Sequence, residues 1–441
     1  MLNNTIEIQI VVMLKTYRSP FRTIILIALG VVMMSCAGNR RAQQSVKLTD
    51  SYNPSANSVH PEVKVFHLND SLSELNILFY PKEILMSTSN PDSVLRGSVR
   101  FNMELYNVKD SMVAVDTASL VVTLDQNSLR KPSMYSKLPV RATLGECYVM
   151  KFSVTDVLRE QTAIVLMMVD KTNRNTGQWY RTTNPDGSVF FGMAVREGGI
   201  VMVDHPMRSL DSTYIFFYRN LSVSPPPVRA IREYLPELPD SVWKIRGKRV
   251  SFPYEGTYCI SADSVLGKGL MLGRFTTGFP RRVSPTQLVE SMVYIESRVT
   301  DSGFTATNSK LLLDSLWLSR TGNHEASREL IRIYYNRLFL ANYYFSSYKE
   351  GWKTDRGMIF MVYGLPNRIF RYGLNEVWIY GHASGKKSTR FHFRYKPGSA
   401  SPNDFVLDYM RSSNLKWSVI EDGWKKGKPF IYEEEDEDNM E

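Results

Sequence analysis

The sequence is poor in the residues that build disulfide scaffolds and metal centres. Its 441 residues include three cysteines, too few for a fold held together by disulfides. Six histidines are scattered along the chain, and only His382 and His392 fall in one region. Two histidines without a third ligand make a poor zinc site. We therefore expect no metal ion, no cofactor, and buried free thiols at Cys147 and Cys259.

The sequence also lacks the short motifs of common enzyme classes. It contains no H-E-x-x-H, no G-x-S-x-G, no P-loop and no G-x-G-x-x-G, the patterns of metalloproteases, hydrolases and nucleotide-binding proteins. No serine or cysteine nucleophile has a recognisable base. These absences favour a non-catalytic protein. An enzyme whose site is assembled across domains stays open as an alternative.

Long apolar runs are absent except near the N-terminus. Three basic residues at positions 15, 18 and 22 precede an apolar run over 23–34, which Ser35 and Cys36 follow. This order is typical of a secretory signal, and about 12 residues are too few to span a bilayer. Met33-Met34-Ser35-Cys36 resembles a bacterial lipobox, which implies lipidation of Cys36. We predict a signal peptide over residues 1–35, with Met13 as the true start; a plain cleaved signal is the alternative.

The charge distribution indicates a periplasmic address rather than a nucleic-acid partner. The net charge is +10, although residues 433–441 carry seven acidic side chains in nine, so the body of the chain is strongly basic. No zinc-finger or aromatic nucleic-acid motif accompanies that charge, and anionic lipid or an acidic protein fits better as a partner. The alternative is that the charge only keeps the protein soluble. Residues 37–41 are basic, whereas an acidic stretch there directs surface export in many Bacteroidota lipoproteins. We predict an outer-membrane lipoprotein that faces the periplasm.

The body of the chain is predicted to be multidomain and mainly β. Residues 36–61 are polar and predict a flexible tether, and residues 431–441 predict a disordered acidic tail. From residue 62 the alternation of apolar and polar residues predicts strands, over 63–68, 74–80, 98–105, 119–125, 147–154 and 162–170. We expect two tandem β-sandwiches of immunoglobulin-like kind over 62–176 and 177–283. Phe190–Val203 is predicted to form a hairpin, and strands are expected at 214–218, 256–262 and 269–276.

Helices packed on a small antiparallel sheet are expected over 284–430, an α+β domain. Ser284 with Gln287 predicts a capping box, and Asn323 is a good N-cap for a long helix. The helices are predicted over 285–297, 306–319 and 324–349, with Gly351 as a left-handed C-cap. Strands are predicted over 358–363, 376–380, 391–395 and 404–409.

A motif in this region resembles the signature of the GWxTD-domain family of Bacteroidota and related bacteria. The chain has Gly351-Trp352-Lys353-Thr354-Asp355-Arg356-Gly357, an apolar segment, and then Tyr363-Gly364-Leu365-Pro366. Glu376-Val377-Trp378-Ile379-Tyr380 also resembles a strand of the family. The resemblance covers roughly residues 310–412. It implies an exported protein with β domains ahead of the signature, and no established reaction.

Two interpretations of the signature remain open. Thr354 and Asp355 accept backbone N–H groups in tight turns, and Arg356 is expected to pair with Asp355, Glu350 or Glu376, which would make the motif structural. Alternatively, a loop built by the signature residues binds a ligand or partner. The candidate positions are Gly351, Trp352, Thr354, Asp355, Arg356, Gly357, Tyr363, Gly364 and Pro366. A catalytic role for Asp355 is the weakest interpretation.

Asp-Ser or Asp-Thr followed by a small or apolar residue is unusually frequent. It resembles the O-glycosylation acceptor of exported Bacteroidota proteins, and turn formation by Asp-Ser pairs is the alternative explanation. The candidate sites are Ser71, Ser93, Ser111, Thr117, Ser212, Ser241, Ser264 and Ser315.

Together these features predict a non-catalytic, lipid-anchored envelope protein. It would act as a docking or scaffold component in outer-membrane assembly or secretion, with envelope proteins as partners. A glycan- or peptide-binding lipoprotein is the alternative, and exposed aromatic platforms, such as Trp352 or Trp417, would favour it.

Overall fold

The computed structural model describes residues 48–88, 94–110, 113–219, 221, 238–262, 268–296, 306–381, 388–399, 401–412 and 417–430. They belong to one compact unit, Lys47–Glu441. The predicted signal peptide, Cys36 and the acidic tail lie outside the described residues. Within the described ranges no helix is long and apolar enough to cross a membrane.

Seven strands in two antiparallel sheets form the first β module. They are β1 (Glu62–His67), β2 (Leu72–Phe79), β3 (Arg96–Asn107), β4 (Ala114–Asp125), β5 (Met134–Arg141), β6 (Cys147–Asp156) and β7 (Gln161–Asp170). The sheet orders are β1-β2-β5 and β4-β3-β6-β7. Both sheets enclose one core, in which the ring of Phe101 lies 5.2 Å from Phe79 and 5.9 Å from Phe152. The strand β5 was not predicted, because Pro139 and the polar residues of the strand hide the apolar–polar alternation. The strand lies at a sheet edge, where proline is tolerated.

The second β module repeats this plan with a separate core. Its strands are β8 (Arg181–Thr183), β9 (Ile200–Asp204), β10 (Tyr214–Tyr218), β11 (Ser241–Lys244), β12 (Arg249–Ser251), β13 (Gly256–Ser261) and β14 (Leu270–Arg274). The sheet orders are β12-β9-β8 and β11-β10-β13-β14. The buried rings of Trp179, Phe217 and Tyr258 belong to its core.

The predicted hairpin over Phe190–Val203 is wrong. Its turn forms, since the N–H of Gly199 donates to the carbonyl of Arg196 at 2.9 Å. The residues before the turn, however, bind β14, where the N–H of Val195 donates to Gly273 at 2.7 Å. The strand β9 pairs instead with β8 and β12. Local periodicity identifies an extended segment but not its partner.

The helical region begins as its caps predict. Helix α1 (Pro285–Glu290) has the Ser284–Gln287 capping box, and a short 3₁₀ turn follows it over Ser291–Tyr294. Helix α2 covers Ala306–Thr321, and α3 covers His324–Phe345. The side chain of Asn323 accepts the N–H of Glu325 at 2.8 Å. Helix α3 ends at Phe345, before the predicted residue 349.

The segment after the signature is a helix, not the predicted strand. Helix α4 (Asp355–Tyr363) has Thr354 as its N-cap, whose hydroxyl accepts the N–H of Gly357 at 3.1 Å. All nine of its residues are buried. A helix buried on every side shows no polar stripe, and an apolar run alone does not separate it from a strand.

An antiparallel sheet and a short helix complete the C-terminal region. The sheet contains β15 (Arg368–Tyr372), β16 (Asn375–Tyr380), β17 (Thr389–Tyr395) and β18 (Phe405–Leu407), paired in that order. Helix α5 covers Trp417–Lys425. The predicted combination of helices with a small antiparallel sheet is confirmed, and β15 and α5 are additions to it.

Candidate functional site

The residues ahead of the first module are packed against the folded body. Residues Leu48–Tyr52 form a 3₁₀ helix, in which the hydroxyl of Ser51 donates to the carbonyl of Ile164 at 2.8 Å. Val59 is 2% exposed in the core of the first module. The prediction of a flexible tether over 36–61 is therefore wrong for residues 48–61. Sequence polarity suggested flexibility there, but a few well-placed side chains order the segment.

Two signature glycines allow three backbone segments to touch. A Cβ on Gly351 would lie 2.0 Å from the carbonyl oxygen of Ala341 in α3. A Cβ on Gly357 would lie 1.8 Å from the carbonyl oxygen of Gly351. Gly351 begins a 3₁₀ turn over Gly351–Lys353 and is not in the left-handed region. The predicted C-cap role is wrong, and close approach of backbone explains the residue.

Trp352 is enclosed between the helices. Its side chain is 1% exposed, and the guanidinium of Arg282 lies 5.0 Å from its ring centre. Its backbone N–H donates to the side-chain oxygen of Asn342 at 3.1 Å. Trp417 is 3% exposed. Neither tryptophan is therefore an exposed platform for a glycan.

Asp355 joins helix α4 to strand β18. Its carboxylate accepts the N–H of Leu407 at 2.7 Å. Burial raises the pKa of the neighbouring Asp404 to about 6, with Lys349 opposing the shift and Asp355 adding to it. Among the described residues no group of three or more His, Cys, Asp or Glu is arranged to hold a metal ion.

Arg356 belongs to a buried charge cluster centred on Glu376. One carboxylate oxygen of Glu376 accepts from the Arg356 guanidinium at 3.4 Å and from the Trp378 Nε1 at 2.8 Å. The other oxygen accepts from the Arg371 Nε at 2.8 Å. Arg356, Arg371 and Glu376 are 1%, 7% and 0% exposed. Burial alone would raise the pKa of Glu376, but Arg371 and then Arg356 lower it to about 2. The carboxylate is thus held charged in the interior.

Tyr52 reaches into this cluster from the N-terminal segment. Its hydroxyl donates to Glu376 at 3.2 Å and accepts from Arg356 at 3.1 Å. Its ring packs 5.0 Å from Phe345 and 6.0 Å from Trp378. We call Tyr52, Arg356, Arg371 and Glu376 the brace cluster.

The brace cluster and its sheet also hold the first β module. The Arg371 Nη1 donates to the carbonyl of Leu166 in β7 at 3.1 Å. At the end of β7, the carboxylate of Asp170 accepts the hydroxyl of Tyr395 at 2.7 Å and the N–H of Gly398 at 2.6 Å. Side chains of the C-terminal sheet therefore bond to the outer edge of the first module.

The last signature positions line an aromatic interior. The ring of Tyr363 lies 4.9 Å from Phe391 and 5.2 Å from both Tyr380 and Phe430. Gly364 has a φ of 82°, and its carbonyl accepts the hydroxyl of Tyr380 at 2.8 Å. Pro366 is buried as well. All nine signature positions are thus buried.

Sequence reasoning missed two members of the brace cluster. Tyr52 lies in the segment predicted to be a flexible tether, and Arg371 lies in a segment for which no helix or strand was predicted. Glu376 was one of three partners considered for Arg356, and the structure selects it. No local signal identifies Tyr52, because its partners are more than 300 positions away.

Five candidate O-glycosylation sites are exposed in the structure: Ser71, Thr117, Ser212, Ser241 and Ser315. Ser93, Ser111 and Ser264 lie outside the described residues. Cys147 and Cys259 are buried free cysteines, as predicted.

Comparison with known proteins identifies the C-terminal region. Residues 256–426 match the family model described as the GWxTD domain. The chain carries a GWxTD domain. The match starts earlier than the predicted boundary at 284 and includes β13 and β14. The structure explains the difference, because Cys259 and Met271 on these strands pack with Tyr348, and the Thr257 hydroxyl donates to the Tyr348 carbonyl at 2.7 Å.

Other comparisons add no functional information. No significant match was found among curated proteins. Among solved structures, the chain is weakly similar to a β-glucuronidase of Bacteroides uniformis, at 8% identity and a TM-score of 0.17 over 31% of this chain. A B. uniformis β-glucuronidase 2 covalently bound to cyclophellitol-6-carboxylate aziridine gives 6% identity and a TM-score of 0.17, also over 31% of this chain. The alignments span 16% of each glucuronidase chain, and a TM-score of this size supports no inference.

Proposed function

We propose that the protein is a non-catalytic, lipid-anchored scaffold of the outer membrane that faces the periplasm. Its GWxTD domain would join the β modules into one rigid body, and its outer surfaces would dock envelope proteins during outer-membrane assembly or secretion. The observation that carries this proposal is the burial of all nine candidate positions of the signature. A motif devoted to internal contacts suits a scaffold better than a reaction centre.

The chemistry of the brace cluster supports a structural role. The Arg356 guanidinium lies 5.1 Å from the ring of Phe345 and 4.5 Å from that of Phe405. It also donates to the carbonyl of Asn403 at 2.8 Å. Removing one partner of a buried ion pair is strongly destabilising. Catalytic groups, by contrast, must be able to reach a substrate. The arginine is placed to hold elements together.

Docking would then use the β modules, which we propose to be immunoglobulin-like sandwiches. Strand β4 lies at the edge of its sheet and pairs with β3 on one side. It contains no proline or lysine, and its charged residues, Asp116 and Asp125, lie near its two ends; proline and charged side chains usually protect an edge. Val115 and Val121 are 54% and 52% exposed on it.

The same edge favours a second candidate function, peptide binding by the lipoprotein. An extended peptide adds to an open sheet edge through backbone hydrogen bonds, and pockets for alternate side chains give specificity. The carboxylate of Asp116 near the start of β4 accepts the N–H of Arg141 in β5 at 2.7 Å, so the later residues of the strand offer the template for such pairing.

The lipid anchor is tested by labelling cells with an alkyne-bearing palmitate. We expect the wild type to carry the label and fractionate with membranes, and Cys36→Ala to lose both. An unlabelled wild type in the soluble periplasmic fraction would overturn the anchor.

The docking role is tested by a crosslinking pull-down from native membranes. Val121→Lys puts a charge on the exposed face of the edge strand β4, which disfavours pairing with an apolar segment, and Val419→Lys, at a valine that is 60% exposed on α5, is the matched control. A set of envelope proteins recovered by the wild type and the control but lost with Val121→Lys supports docking at β4. Recovery of one set by all three proteins excludes that edge.

A further inference from the structure

Two buried histidines meet at the connection between the β modules, where residues 171–180 join β7 to β8. The ring of Trp179 in this connection is 0% exposed. It contacts the imidazole of His67 edge-on at 5.1 Å and stacks on that of His205 at 5.9 Å. The Lys171 ammonium lies 5.5 Å from the same ring. We call His67, Lys171, Trp179 and His205 the histidine junction.

Hydrogen bonds hold His67 in its neutral form. Its Nε2–H donates to the Asp170 carbonyl at 2.9 Å, so its Nδ1 accepts the hydroxyl of Ser73 at 2.8 Å. The same hydroxyl oxygen accepts from the Lys171 Nζ at 3.2 Å. A proton added at Nδ1 would therefore point a second cation at the hydroxyl that the ammonium already uses.

His205 is held neutral by a comparable pair of contacts. Its Nδ1 accepts the N–H of Met207 at 3.2 Å, and its Nε2–H faces the carbonyl of Arg174 at 3.4 Å. Protonation of Nδ1 would place two N–H donors against each other. The bond to Met207 thus exists only while the ring is uncharged.

The charges around the two rings do not compensate an imidazolium. Lys171 adds positive charge beside His67, and Arg208 and Arg174 add it beside His205. Lys64 and Glu74 project from the opposite face of β1 and β2 to His67, because side chains alternate along a strand. The carboxylates of this region bind other groups: Asp70 binds Arg174, Asp170 binds Tyr395, and Asp204 binds Lys248.

Both rings are consequently hard to protonate in the folded protein. Burial lowers the pKa of His67 from 6.5 to about 3, and Lys171 adds to the shift while the bond to the Asp170 carbonyl opposes it. Burial also lowers the pKa of His205 to about 4, against the opposing bond to a carbonyl and the charge of Asp204. Charging either ring therefore favours any form of the protein in which that ring is hydrated.

We propose that the histidine junction is an acid-sensitive contact, which holds the two β modules together near neutral pH and opens as the pH falls below 6. The cores of the modules are separate clusters, so the junction can open while the first core stays intact. Because the pKa of each ring is lower in the closed junction than in the open one, the stabilisation is complete above about pH 6.5 and is lost towards pH 4. At pH 5 each imidazole raises the opening constant about 30-fold over its value at pH 8, and the two together raise it about a thousandfold.

The test is hydrogen exchange of the full chain, purified in detergent and read by mass spectrometry between pH 8 and pH 5. Exchange rates divided by the intrinsic rates at each pH give the opening constant of each peptide. The reporting peptide covers residues 170–180, in which the N–H of Trp179 donates to the carbonyl of Thr176 at 3.1 Å. Strand β3, in the core of the first module, is the internal reference.

His67→Gln/His205→Gln removes both titrations, because a glutamine amide still donates a hydrogen bond but takes up no proton. His324→Gln, at an exposed histidine in the first turn of α3, is the matched control. We expect the opening constant of residues 170–180 to rise about a thousandfold from pH 8 to pH 5 in the wild type and the control, with little change in β3.

The double variant should show a rise of less than about tenfold over the same range. His205→Gln alone should show about a 30-fold rise, which keeps the proposal testable if the double variant does not fold. A flat wild-type profile at residues 170–180 would overturn the proposal. An equal rise in β3 would mean unfolding of the whole chain and would overturn it too, as would a thousandfold rise that persists in the double variant.

Discussion

Glu376→Gln removes the one negative charge of the brace cluster while keeping the shape of the side chain. Arg356 and Arg371 would then remain buried, at 1% and 7% exposure, without their counter-charge. Removing one partner of a buried ion pair costs about 3–5 kcal/mol of folding free energy. Tyr52 and Trp378, which donate to the carboxylate, would keep the amide oxygen of the glutamine as an acceptor. The lost charge therefore accounts for most of the lost folding free energy.

The pKa of Glu376 leads to a similar magnitude. Its shift from the ordinary 4.5 to about 2 corresponds to about 3 kcal/mol at neutral pH, at about 1.4 kcal/mol per unit. Because the folded-state pKa lies below the unfolded one, this stabilisation is complete above about pH 4.5. It is lost as the pH falls towards 2. The wild type should therefore lose stability over this range, and Glu376→Gln should lose much less.

The assay is urea unfolding followed by tryptophan fluorescence, since Trp378 donates directly to Glu376. Unfolding free energies are measured at pH 7 and at intervals down to pH 3. Glu329→Gln is the control, because Glu329 pairs with Arg332 at 2.6 Å on the surface, where its side chain is 55% exposed. Exposed pairs contribute little, so we expect no resolvable change. A Glu376→Gln protein within about 1 kcal/mol of the wild type at pH 7 would refute the bracing role.

Three further predictions concern other buried groups. Since the pKa of Asp404 is raised to about 6, its contribution to stability is present below about pH 4 and is lost as the pH rises through 6. Asp404→Asn should therefore melt at a higher temperature than the wild type at pH 8 and not at pH 4; the same difference at both pH values would contradict this. Gly357→Ala should destabilise the fold by about 3 kcal/mol or more through its clash with Gly351, and an unchanged circular dichroism melting curve would disprove the close approach. Cys147 and Cys259 should react with iodoacetamide only after unfolding, because both thiols are buried; rapid labelling of the native protein, read by mass spectrometry, would show otherwise.

Alternating strands and capped helices were predicted well because their signals are local. The alternation around Val99–Leu105 lies within β3, and the capping residues at Ser284 and Asn323 begin the helices that they predict. Helix α4 was assigned the wrong structure because burial on every side removes the periodicity that separates helix from strand. The partner of β9 was wrong for a related reason, since pairing depends on segments distant in the chain.

The signature illustrates the limit of local reasoning at the candidate site. Its residue types indicated a tight turn at Thr354 and Asp355 and an ion pair for Arg356. The ion pair forms and Thr354 accepts the N–H of Gly357, but Asp355 accepts the N–H of the distant Leu407. Local sequence could not show that Arg356 pairs with Glu376 rather than Glu350 or Asp355. It also could not show that Arg371 and the hydroxyl of Tyr52 join them, because these groups meet only when β15, β16 and α4 pack together.

The sequence by itself determined the mainly β architecture with a C-terminal α+β region, the GWxTD domain and the buried free cysteines. Each follows from composition, period or a contiguous motif. Only the tertiary structure decided that the signature is internal and that residues 48–52 pack against β7 and the C-terminal sheet. Those features depend on contacts between residues tens to hundreds of positions apart, where chain order carries no information about distance.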